Sequence, residues 1–180
     1  LRLAAERSGR PELLDDLSIV TAGDGLGHET GGASLVVMQA LVLQGTADAD
    51  VAVLVDDDEH GKECLDMLRK IGNKTGYWKL GRHLYSYRMG IPNGESSDFA
   101  YEAEDLWPDE LHTKFLDQFE DENTVLAGKS KRPNPHGGWH YDYTANAKGQ
   151  FANFTDSHAR AADCELWVDM IETVRKGLKI

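Results

Sequence analysis

The chain has 180 residues, 41% of them hydrophobic and 28% charged, enough for one domain with a sizeable core. No apolar run approaches the roughly 18 residues of a membrane-spanning helix, and no stretch reads as a secretory signal, so a cytoplasmic protein without a membrane partner is expected. A net charge of −12 argues against gripping nucleic acid by bulk electrostatics, but not against acids that hold metal ions, because bound cations invert the local charge.

In chain order, "LRLAAERSGRPELL" reads as helix, Leu17 to Ala22 as a short strand, and Gly23 to Gly32 as a glycine-rich turn. That turn lacks the G-K-[ST] ending of a phosphate-binding P-loop. "ASLVVMQALVLQ" reads as an apolar helix ending at Gly45. Val51–Val55 is an unalternating apolar run, the pattern of a strand covered on both faces. A helix follows from about His60 to Ile71, with Cys64, Leu65, Leu68 and Ile71 at helical spacing and Gly72 as its stop. Tyr77 to Arg88 suggests one or two further strands. A helix is expected from Pro108, carrying Leu111, Phe115 and Phe119. Gly128 to Gly138 reads as a basic loop rich in proline and glycine. The closing segment is an amphipathic helix with Leu166, Trp167, Met170, Ile171, Val174 and Leu178 on one stripe. Strands alternating with helices indicate an α/β fold with a mostly parallel sheet. Residues 1–126 are expected to form the catalytic domain, and 127–180 a basic loop with a C-terminal helical extension packed on it. Cys64 and Cys164 lack metal-ligand spacing and are expected to be buried free thiols.

The chemistry concentrates after Val55, where Asp56, Asp57, Asp58 and Glu59 crowd the carboxyl end of the strand. Like charges about 4 Å apart repel by roughly 1 kcal/mol even in water, so something should offset the crowding. Asp57 and Glu59 are accounted for as caps of the following helix. Asp56 and Asp58, two apart on extended backbone, project to the same side, where α/β folds bind ligands. Carboxylates so placed suit Mg²⁺ or Mn²⁺.

Two families share parts of this pattern. "AVLVDDDEHGKECLDML" is similar to the acidic pocket of a receiver domain, but "SSDFAYEAE" supplies no phospho-accepting Asp closing an apolar strand about forty residues on. The chain more closely resembles the Toprim domain of the overcoming-lysogenization-defect (OLD) family of nucleases. The resemblance rests on the D-x-D of Asp56 and Asp58 followed by Gly61, the phrase Glu104-Asp105-Leu106, Lys148 in "TANAKGQFANF", and the closing helix. It implies a Toprim-like, Rossmann-like sheet flanked by helices and a metal-dependent DNA endonuclease or nickase, plausible in phage defence or DNA repair. Asp56, Asp58, Glu104 and Asp105 would hold a two-metal Mg²⁺ or Mn²⁺ site. Asp56, Asp58 and Lys148 would be catalytic, with Lys148 stabilising charge on the phosphate. Toprim domains also use a glutamate on an earlier strand, which has no counterpart before Asp56. The chain is therefore expected to be a fragment lacking the first Toprim strand, from a parent with an ABC-type ATPase domain, and the resemblance allows a homodimer. Lys129, Lys131 and Arg132, near Trp139, Tyr141 and Tyr143, form the candidate DNA contact, with a solvated loop as the bland reading. Glu104 and Asp105 read equally as an acidic lead-in to the Pro108 helix. A receiver-like signalling domain and a degenerate Toprim serving as an interaction module are the alternative functions.

Overall fold

The computed structural model describes residues 1–20, 33–46, 50–56, 59–71, 84–88, 102–128, 132–134 and 137–180. The chain divides into two compact units, Leu1–Asp15 with Ala103–Asp169, and Asp16–Glu102 with Met170–Ile180. The boundary expected between 126 and 127 falls inside the first of these, and each unit is assembled from segments far apart in sequence.

The second unit holds the parallel sheet. Strand β1 (Val51–Val55) pairs in parallel with β2 (Leu84–Arg88), in a register that sets Val51 against Leu84 and Val55 against Arg88. Helices α2 (Ala33–Thr46) and α3 (Glu59–Ile71) belong to the same unit. Val53 and Val55 point into a core with Val37 and Ala40 of α2 and Cys64, Leu65 and Leu68 of α3. Ala52 and Leu54, on the other face of β1, pack with Leu17, Val174 and Leu178. The strand is thus covered on both faces, which is why its apolar run does not alternate. Helix α2 runs through Gly45 to Thr46, one residue past the expected stop, and α3 starts at Glu59. The strand expected from Leu17 departs from expectation. Leu17–Val20 joins no ladder among the described residues, and Val20 is exposed. Thr21, Ala22 and the turn of Gly23 to Gly32 lie outside the described residues.

The first unit is helical with one small hairpin. Helix α1 (Arg2–Arg7) is followed by a 3-10 turn at Pro11–Leu14. Helix α4 (Asp109–Leu116) starts after Pro108, whose fixed φ suits a helix entry, and Asp109 and Glu110 in its first turn favour the helix dipole. Strand β3 (Arg132–Pro133), within the segment expected to be an unpatterned loop, pairs antiparallel with β4 (Trp139–His140) just after that segment. Helix α5 (Ala145–His158) opens on Thr144, whose hydroxyl accepts from the Ala147 N–H at 3.3 Å. Sequence reasoning did not anticipate α5, because Asn146, Gly149 and Asn153 are poor helix formers. Its apolar spacing was nonetheless present in Ala147, Phe151 and Phe154, which are buried with Leu111, Phe115, Leu116, Val125, Tyr141 and Tyr143 in one core. Helix α6 (Glu165–Leu178) begins in this unit and ends in the other. Both cysteines are buried and free, and burial pushes the Cys64 thiol up to about 11. Among the described residues no helix is long and apolar enough to cross a membrane.

Candidate functional site

The phrase Ala103-Glu104-Asp105-Leu106 forms a 3-10 turn, closed by the Trp107 N–H donating to the Glu104 carbonyl at 3.0 Å. The turn plunges Asp105 and Leu106 into the first unit, where they are 2% and 1% exposed. A carboxylate so buried needs donors. His140 of β4 supplies one: its Nδ1 lies 2.8 Å from Asp105 Oδ1 and 2.9 Å from Oδ2. A carboxylate only accepts, so Nδ1 carries the proton. The buried Asn134 amide donates to the Asp105 carbonyl at 3.1 Å. The acidic turn is therefore fastened to the hairpin by both its side chain and its backbone.

His112, buried on α4, fastens the same turn from the other side. Its Nε2 lies 3.1 Å from the Glu104 carbonyl and its Nδ1 3.0 Å from the Tyr143 hydroxyl. A carbonyl can only accept, so Nε2 carries the hydrogen and Nδ1 takes the Tyr143 proton. The ring stacks on Tyr141 and Phe151 with centroids 4.6 and 4.5 Å away. Burial drives its pKa down to about 4, against the opposing pull of the Asp105 charge. Burial likewise pushes the Tyr143 hydroxyl up, keeping it a donor.

At the edge of this framework Lys148, in the first turns of α5, brings Nζ to 3.9 Å from Glu104 Oε2. The two side chains are 34% and 18% exposed. The pair is beyond hydrogen-bond length and partly solvated, so it is worth at most about 1 kcal/mol. Residues 44 apart in the chain thus meet as a cation and an acid on a rigid base. Asp109, at the start of α4, anchors the hairpin: its Oδ1 accepts from the Tyr141 hydroxyl at 2.6 Å and from the Trp139 N–H at 3.2 Å.

Of the expected site residues, Glu104, Asp105 and Lys148 come together in the first unit. Asp56 follows β1 directly in the second unit and is half-buried. Arg132 is exposed on β3. Asp58, Lys129 and Lys131 lie outside the described residues. Both Asp105 carboxylate oxygens lie within hydrogen-bond distance of His140 Nδ1. Among the described residues no group of three or more His, Cys, Asp or Glu side chains is arranged to hold a metal ion. Tyr141 and Tyr143, which the sequence sets near the candidate DNA contact, are 3% and 2% exposed and lie in the core. His112, Asn134 and His140 are the residues sequence reasoning missed. His140 has no partner at local ligand spacing, because its partner Asp105 is 35 residues away. No protein-family profile, curated protein or solved structure matches the chain.

Proposed function

We propose that the chain hydrolyses phosphodiester bonds in DNA as a Toprim-type nuclease domain dependent on Mg²⁺ or Mn²⁺, within a cytoplasmic parent protein that also carries an ABC-type ATPase domain. One observation carries the reading: Lys148 and Glu104, picked out by their order in the sequence, meet on a turn held by His112, His140 and Asn134. Such fastening suits a group whose position matters. A lysine ammonium on this partly solvated edge can reach the non-bridging oxygens of a phosphate and stabilise charge developing there. Asp56 at the carboxyl end of a parallel strand has the placement of a ligand-binding residue in α/β folds. A divalent cation held by Asp56 and Asp58 would supply charge neutralisation and a more acidic bound water.

The interaction-module alternative draws its support from Asp105, whose engagement with His140 is that of a structural group. Nicking of supercoiled plasmid in Mn²⁺ separates the two. We expect nicking that Asp58→Ala abolishes and Lys148→Ala lowers by about 10²-fold or more, with helix content retained. Nicking unchanged in Asp58→Ala, or absent from the folded parent protein, overturns the nuclease reading.

A further inference from the structure

The β3–β4 hairpin presents a small apolar face with a carboxylate held against its backbone. Trp139 is 44% exposed, while its neighbour His140 is 2% exposed. Alternation along a strand links the two: His140 faces Asp105, so Trp139 faces outward. The register sets Pro133 opposite Trp139, and Pro133 is exposed too, so indole and pyrrolidine share the outward face. Arg132 lies opposite His140 and therefore leaves its strand from the other face. Gly137 and Gly138 take φ of +108° and +73°, and a Cβ on Gly138 would overlap the Asp109 side chain. The turn closes directly onto the start of α4, with no room for a side chain.

Asp109 is the charged group placed against this strand. Its Oδ1 accepts from the Trp139 N–H at 3.2 Å and from the Tyr141 hydroxyl at 2.6 Å. Both donors are neutral, and among the described residues Asp109 forms no ion pair and its Oδ2 accepts no hydrogen bond. There the one buried side-chain polar atom without a partner is the Trp167 indole nitrogen, so Asp109 Oδ2 is open to water. A carboxylate so placed gains a charge-assisted hydrogen bond when a cation arrives. Among cationic side chains, a guanidinium suits both groups at once. Its plane stacks on an indole while its N–H groups donate to a carboxylate, and its aliphatic stem covers apolar surface such as Pro133. An ammonium is a compact, strongly hydrated point charge that stacks less well. A phosphate would be repelled by the same carboxylate, and the net charge of −12 favours a basic partner at longer range.

We propose that this face docks an arginine side chain from a basic segment of a partner protein, with the guanidinium lying on Trp139 and donating to Asp109 Oδ2. The contact does not depend on the phosphodiester reading. Two short fluorescein-labelled peptides of equal charge test it, one alternating glycine with arginine and the other glycine with lysine. Each is titrated with the chain and followed by fluorescence anisotropy. The wild type should bind the arginine peptide roughly threefold or more tighter than the lysine peptide. Trp139→Ala should erase that preference, and Trp139→Phe should keep part of it. Asp109→Asn retains an oxygen for the Tyr141 and Trp139 donors but loses the charge, so it should weaken both peptides by roughly two- to fivefold. Circular dichroism should show wild-type helix content in all three variants. Equal affinity of the wild type for the two peptides overturns the proposal, as does a Trp139→Ala variant that still discriminates. So does an Asp109→Asn variant that binds both peptides as the wild type does. Binding of a labelled oligo-dT strand that Trp139→Ala removes, with peptide affinities unchanged, also overturns it and assigns the ring to nucleic acid.

Discussion

His112 makes the first unit acid-sensitive in a way that can be worked out from its surroundings. In the folded chain its pKa is about 4, against an ordinary value of 6.5, because a ring stacked between Tyr141 and Phe151 cannot be charged without losing hydration. The folded pKa is below the unfolded one, so the unfolded chain takes up the proton first as pH falls. The stability contributed by the neutral ring is complete above about pH 6.5 and declines from there. It is fully lost below about pH 4. At 1.36 kcal/mol per pKa unit, the loss between pH 7 and pH 5 is about 2 kcal/mol, and the full loss about 3 kcal/mol. Carboxylates also titrate in this range, so the comparison needs a variant that shares them. His112→Phe keeps the aromatic packing, removes the proton site, and leaves the Tyr143 hydroxyl and Glu104 carbonyl without their partner, at a cost of about 1–3 kcal/mol at pH 7. Urea unfolding of both proteins at pH 7 and pH 5 gives the difference directly. The wild-type advantage should shrink by about 2 kcal/mol at pH 5. An advantage that is the same at both pH values would refute the assignment of a buried, neutral His112.

Other expected outcomes follow from single contacts. Gly138→Ala meets both a positive φ and a clash with Asp109, so thermal unfolding should show a loss of roughly 1–3 kcal/mol. Gly149→Ala, in the interior of α5 with nothing within 4 Å, should instead gain about 0.5–1 kcal/mol. An equal effect of the two would mean that the turn is not held against α4. His140→Ala strands the buried Asp105 carboxylate and should cost about 3–5 kcal/mol in urea melts. A cost under about 1 kcal/mol would show that water or another side chain takes over.

The elements legible in the sequence are those whose information is local. Helices α3, α4 and α6 carry apolar residues at helical spacing, and β1 is an apolar run bounded by acids. Periodicity and turn chemistry depend on residues a few positions apart, so they survive without knowledge of the fold. Helix α5 was obscured because its asparagines and glycine lower its local preference, and burial of Ala147, Phe151 and Phe154 overrides that preference. The association of Glu104-Asp105 with Lys148 was read from order along the chain and from resemblance. Their proximity belongs to the tertiary structure, as do the buried Asp105–His140 pair, the two-sided clamp by His112 and Asn134, and the outward turn of Trp139. Each joins residues from about 8 to 44 positions apart, and a lone histidine or asparagine in the sequence carries no mark of its partner. Only folding, by withdrawing the Asp105 carboxylate from water and so requiring a donor beside it, decides which histidine that partner is.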